Sequence, residues 1–155
     1  MRFAFDSNIL IYAVDTGTPA KHEIARRIVE NAFEADAVLV TQTLGEYLSV
    51  FTRKYPKQLA EARAAAELWI ELLPLADSTG DDVIAASRYA LKHRLQYWDS
   101  LILVVAASAG ADFLLSEDMH DGLSIEGLTI IDPFNPANSG LIDVMLRPTE
   151  EIDRP

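Results

Sequence analysis

The 155-residue chain has no cysteine, which excludes a disulfide framework and any thiolate metal site. Its three histidines, His22, His93 and His120, are too few and too scattered for an imidazole-based cluster. A bound metal would therefore take oxygen ligands, the preference of magnesium and manganese. Long apolar runs are also missing: the longest, Leu101 to Ala107, has seven residues, against roughly 18 for a bilayer-spanning helix. The start MRFAFDSN has an early Asp, no apolar stretch and no small-residue cleavage site, so a cytoplasmic protein without a secretory leader is expected. Basic residues are scarce, with 13 Lys and Arg against 24 Asp and Glu and a formal net charge of −11. That balance counts against a broad nucleic-acid-binding surface, which is usually basic. Carboxylates gathered around a cation would account for part of it.

The length suits a single domain with one core. Half the residues are hydrophobic and 24% are charged, an ordinary globular balance. Short apolar segments ending in turn formers predict strands at Met1 to Phe5, Ala37 to Val40, Leu73 to Ala76, Asp112 to Leu115 and Leu128 to Ile131. Helical spacing predicts helices over Ile9 to Val14, Ala20 to Phe33, Thr43 to Lys54, Lys57 to Leu72, Asp81 to Arg94 and Asp99 to Ala109. The last of these is apolar nearly all round and should be buried. Strands alternating with helices indicate an α/β fold with a parallel sheet covered on both faces. Periodicity fades after about residue 136, which predicts a domain over 1–136 and a C-terminal tail over 137–155, with a helical turn near Leu141 to Leu146.

Four acids stand at the ends of apolar segments: Asp6 in FAFDSNIL, Glu46 in TQTLGEYL, Asp99 in YWDSLIL and Asp118 in FLLSEDMHDG. In a parallel α/β domain such ends converge on one sheet edge, where several carboxylates repel one another unless a hard cation sits between them. Each also has an ordinary structural role available. Asp6 suits an Asx turn or helix N-cap, and Asp99 suits an N-cap. Thr43-Leu44-Gly45-Glu46 matches a capping box, in which Glu46 would reach back to a backbone N–H. Asp118 has Glu117 and Asp121 as neighbours in a loop that could simply be solvated. The set carries more weight than its members, because all four fall at successive element ends.

Taken together, the DSNIL start, the Glu46 helix, the WDSLIL segment and the LLSED turn resemble PIN-domain ribonucleases, and more narrowly the VapC-type toxins of toxin–antitoxin pairs. The resemblance covers about Met1 to Pro136. It implies a PIN-like three-layer α/β/α sandwich with a central, mainly parallel sheet of about four to five short strands. It also implies Asp6, Glu46, Asp99 and Asp118 as catalytic metal-binding acids, with Glu117 competing for the place of Asp118, and Asn8 and Ser116 in support. The cofactor implied is Mg²⁺ or Mn²⁺, as one or two ions. The partners implied are an RNA substrate, a VapB-like antitoxin and a second copy of the chain, with no membrane.

The chemistry is coherent without the family. Hydrolysis of a phosphodiester needs an activated water and charge stabilisation on the phosphate, which a carboxylate-held divalent ion provides. Candidate RNA contacts are Arg53, Lys54 and Lys57 beyond the Glu46 helix, and Lys92, His93 and Arg94 before Asp99, with Tyr97 and Trp98 as stacking residues. Against this, Lys92 to Arg94 also suits a helix C-terminus, and a tryptophan is commonly core. Three rival readings remain. A haloacid-dehalogenase-like phosphatase would carry a second Asp where this chain has Asn8. A receiver domain would need paired early acids. A non-catalytic protein-binding module would use the acids only as caps.

Overall fold

The computed structural model describes residues 1–149, and the end of the expected tail, 150–155, lies outside the described residues. The first half runs β1 (Phe3–Phe5), α1 (Ser7–Val14), α2 (Pro19–Ala32), β2 (Leu39–Val40), α3 (Thr41–Lys54), α4 (Leu59–Leu72) and β3 (Leu75–Ala76). The second runs α5 (Gly80–His93), α6 (Tyr97–Ser108), β4 (Phe113–Leu115), β5 (Ser124–Ile125), β6 (Leu128–Ile131) and α7 (Ser139–Met145). Four strands form a sheet in the order β1-β4-β6-β5, with β5 antiparallel to β6 and the other pairings parallel. β2 and β3 form a separate parallel pair, joined to β1 by a bridge between Phe3 and Ala37.

Side chains alternate across this sheet with a period of two, as a strand requires. Phe3, Phe5, Leu39, Leu115 and Ile131 face one core, which α1, α2, α3, α4 and α7 cover. Ala4, Val38, Val40, Leu114, Leu128 and Ile130 face the other, where α5 and α6 lie. The result is the expected three-layer α/β/α sandwich. Helix α6 is buried from Ser100 to Ala106, in keeping with its unbroken apolar run.

Several local expectations shift for identifiable reasons. Helix α3 starts at Thr41, straight out of β2, so Thr43 lies inside it and no side-chain cap bond forms at Val40. The capping box expected for Glu46 therefore does not exist. Helix α6 opens at Tyr97 with Gln96 as its cap, which puts Asp99 in the first turn rather than at the N-cap. Pro56 starts a 3-10 turn over Pro56–Gln58 instead of the long helix, and Lys57 falls in that turn. Strand β5 was not expected. It returns into β6 through Glu126 (φ 53°) and Gly127 (φ 83°), a tight turn hidden by a glutamate in a conformation that usually takes Gly or Asn. The helical turn expected near Leu141 to Leu146 forms as α7.

Helix α7 does not trail from the domain. Ile142, Met145 and Leu146 join the same core as Phe3 and Tyr47, so Ile142→Ala is expected to cost about 2–4 kcal/mol, as for other buried isoleucines. Urea unfolding measures it, and a loss below about 0.5 kcal/mol would mean that α7 is a dispensable appendage.

Candidate active site

Parallel, in-register pairing builds the floor of the site. Phe5 pairs with Leu115 and Leu115 with Ile131, so β1 and β4 end level with each other. The next residues, Asp6 and Ser116, are held in the same row by Asp6 N donating to Leu115 O (2.9 Å) and Ser116 N donating to Ile131 O (3.0 Å). Asp6 is 3% exposed. Its carboxylate accepts from Ser7 N at 2.7 Å and from Ser116 Oγ at 2.9 Å. Burial pushes its pKa up to about 7; the hydrogen bonds from Ser116 and Ser7 oppose this, and the charges of Asp99 and Glu46 add to it.

The other acids arrive from three directions. Glu46, in the second turn of α3, accepts from Gln42 Nε2 (2.8 Å) and Ser7 Oγ (3.2 Å). Tyr47 and Phe51, on the other face of α3, are fully buried, and Tyr47 Oη donates to Ala62 O of α4 at 2.9 Å. That packing fixes the rotation of α3 and turns Glu46 to the sheet edge. Asp99 is half-buried, with its pKa raised to about 6 by burial and by the charges of Glu46 and Asp118. Asp118 is exposed and accepts from Asn8 Nδ2 at 3.0 Å, while its own N donates to Ser116 Oγ at 3.2 Å.

Glu117 points elsewhere. It accepts from Tyr12 Oη (2.7 Å) and pairs with Lys21 Nζ (2.5 Å), which lies over the rings of Tyr12 and Phe134. The structure thus brings Asp118, not Glu117, to the other three acids, and Glu117 anchors the turn. The supporting residues Asn8 and Ser116 sit between the carboxylates, with Ser116 Oγ joining Asp6 to the backbone of Asp118.

The four acids lack basic partners: none of the salt bridges among the described residues involves them. Two buried acceptors at the site, Asn8 Oδ1 and Gln42 Oε1, have no donor among the described residues. An all-oxygen donor set, mutual repulsion and unfilled acceptors fit a hard divalent cation. Among the described residues, no three carboxylates stand close enough to share one ion as placed. Repulsion acts over several ångströms while ligation requires about 2 Å. Side-chain rotation, exchanging the bonds from Gln42, Ser7 and Asn8, would be needed to close a coordination shell.

Two clefts flank the acids, separated by Val50. One, of about 500 Å³, is lined by Gln42, Glu46, Arg53, Trp98 and Asp99. The other, of about 370 Å³, is lined by Asn8, Tyr12, Lys54, Tyr55, Glu117 and Asp118. Of the residues expected to meet RNA, Arg53 and Trp98 line the first cleft and Lys54 the second. Trp98 is 55% exposed, against the core alternative weighed for it. Lys57 borders a smaller hollow with Tyr55. Lys92 and Arg94 are exposed and line neither cleft, and the His93 ring stacks on Tyr89. Sequence reasoning missed Ser7, Gln42, Tyr12 and Lys21. Gln42 was discernible four residues before Glu46, on the same helical face. The pairing of Lys21 with Glu117 spans 96 residues and left no local signal.

A family model described as PIN domain matches residues 3–120. The chain belongs to the PIN domain family. All four acids and Ser116 fall within the PIN match, which displaces the haloacid-dehalogenase-like and receiver readings. Three solved structures show the same fold at low identity. VapC20 of Mycobacterium tuberculosis, described as a Sarcin-Ricin loop cleaving toxin, is 17% identical with a TM-score of 0.60, over 72% of this chain and 86% of that one. A toxin–antitoxin complex from Klebsiella pneumoniae is 18% identical with a TM-score of 0.59, over 84% and 96%. DNA-bound VapBC from Salmonella typhimurium is 18% identical with a TM-score of 0.61, over 86% and 98%. No curated protein matches the chain in sequence.

The raised pKa values of this PIN domain have a consequence for stability. Asp6 and Asp99 are raised from 3.8 to about 7 and about 6, so between those limits the folded state holds more protons than the unfolded one. Their contribution is full below about pH 4, falls as pH rises toward 7 and is flat above. In chelator, Tm is expected to decline over that window. Asp6→Asn preserves the shape and is expected to recover on the order of 2–4 kcal/mol near pH 8, at about 1.4 kcal/mol per pKa unit. A flat Tm profile for the unaltered protein contradicts this.

Proposed function

We propose that this PIN domain is a divalent-metal-dependent endoribonuclease and the toxin of a VapBC-type pair. The observation that carries the reading is the convergence of Asp6, Glu46, Asp99 and Asp118 on one sheet edge with no basic partner among the described residues. The family match and the toxin–antitoxin neighbours support a nuclease toxin with an antitoxin partner.

These four acids would hold Mg²⁺ or Mn²⁺, as one or two ions. When bound, such an ion neutralises charge on the phosphate and makes the attacking water more acidic. Ser116 and Ser7 N orient the Asp6 carboxylate, Asn8 orients Asp118, and Gln42 orients Glu46. No hydrogen bond to the Asp99 carboxylate is found among the described residues, which leaves its oxygens available to orient the attacking water and take its proton. Arg53, on the cleft wall, can contact a phosphate of the RNA strand. A VapB-like antitoxin would act by covering this edge, in a cytoplasmic setting, with the toxin as a homodimer.

The purified protein is expected to cleave RNA in Mg²⁺ or Mn²⁺ and to lose activity in chelator. Asp6→Asn and Asp99→Asn are each expected to lower the rate by about 100-fold or more. Ser116→Ala, which removes support from Asp6 rather than an acid, is expected to weaken ion affinity by about 10- to 100-fold. Gel-resolved cleavage and ion titration measure these effects. Unchanged cleavage in both Asn variants overturns the reading, and absence of cleavage by the unaltered protein favours a non-catalytic binding module.

A further inference from the structure

We infer that the cleft between α3 and the start of α6 is a subsite for one unpaired nucleotide of the substrate strand, with Trp98 as its stacking surface. The inference rests on the nuclease reading above and deepens it. The volume of about 500 Å³ lies in the range of small-molecule sites. Beside the acids Glu46 and Asp99, the walls combine an aromatic ring, a cation and neutral hydrogen-bonding groups: Trp98, Arg53, Gln96 and Ser49. That mixture suits a base with its attached phosphate.

Trp98 is held in place while remaining open. Its ring packs at 79° against Tyr97, with centroids 5.0 Å apart, and Tyr97 Oη donates to Val83 O at 3.1 Å. Its backbone carbonyl accepts from Gln42 Nε2 at 3.1 Å, which ties the ring's base to the residue that orients Glu46. At 55% exposure the ring still offers most of its surface. Arg53 enters no salt bridge found among the described residues, so its guanidinium is not committed to a protein carboxylate.

Gly45 is an independent observation. It lies inside α3 on the cleft wall, where glycine weakens a helix relative to alanine. A Cβ there would meet nothing within 4 Å, so packing within the protein gives no reason for the missing side chain. Close approach of a ligand does give one.

The cleft on the other side of Val50 has a similar charge balance, with Asp15, Asp118 and the Lys21-paired Glu117 beside Lys54, against Glu46 and Asp99 beside Arg53 on the α3–α6 side. The exposed indole of Trp98, not charge, is what favours the α3–α6 side for a base. Stacking on Trp98 requires an exposed base face, which a paired A-form helix does not offer.

The test is steady-state cleavage in Mg²⁺ of an unstructured oligoribonucleotide carrying every dinucleotide step, single-stranded and annealed to its complement. Trp98→Ala is expected to raise KM by about tenfold with little change in kcat, and Trp98→Phe to restore most of the loss. Gly45→Ala is expected to raise KM while raising Tm by a few degrees, a combination that damage to the fold cannot produce. Unchanged KM in Trp98→Ala, or equal cleavage of the duplex, overturns the subsite and leaves the nuclease reading standing. Unchanged RNA kinetics with loss of binding to a partner protein assigns Trp98 to that partner and overturns the subsite as well. No cleavage of either form by the unaltered protein overturns the nuclease reading and the subsite together.

Discussion

The level, parallel pairing of β1 with β4 is the constraint on which the site depends. The strands are only three residues long, so pairing Phe5 with Leu115 leaves no slack in where Asp6 and Ser116 emerge. A slip of one residue would turn Asp6 toward the opposite face and bury Ala4 where Phe3 and Phe5 now pack. The two cores enforce the register, because Phe3, Phe5 and Leu115 pack into one of them while Ala4 and Leu114 pack into the other. Site geometry and core packing are thus one condition.

Electrostatics works against that arrangement. Asp6 is buried beside other carboxylates, and only short hydrogen bonds from Ser116 and Ser7 offset the cost. The surrounding residues keep the acids near one another without neutralising them. Lys21, tied to the last turn, is occupied by Glu117 and the rings of Tyr12 and Phe134. That cluster fixes the turn carrying Asp118 yet delivers no charge to the site. An arrangement that leaves the four acids without a salt bridge among the described residues is suited to a positive ion from outside.

The alternation of strands and helices, the buried α6 and the four acids were legible because each rests on a local pattern: period-two strands, an unbroken apolar helix, and acids at element ends. The choice between Asp118 and Glu117 was not, since it depends on Lys21 and Tyr12 reaching across from the first two helices. The capping box at Thr43 was plausible from its spacing. It failed because α3 begins two residues earlier, a boundary set by the end of β2. Trp98 was weighed as core, yet the first turn of α6 leaves it at the cleft while Ser100 to Ala106 take the buried positions. Chain-long contacts and two-residue shifts of helix ends are what residue patterns do not encode.

The central claim is that these carboxylates are held together for a divalent cation. The most direct measurement is calorimetric titration of Mn²⁺ into the metal-free protein near pH 6, in buffers of different ionisation enthalpy, to count protons released on binding. With Asp6 and Asp99 raised to about 7 and about 6, saturable binding with proton release is expected, and release should shrink as pH rises past 7 and in Asp6→Asn. Absence of binding, or binding with no proton release that Asp6→Asn leaves unchanged, would contradict the claim.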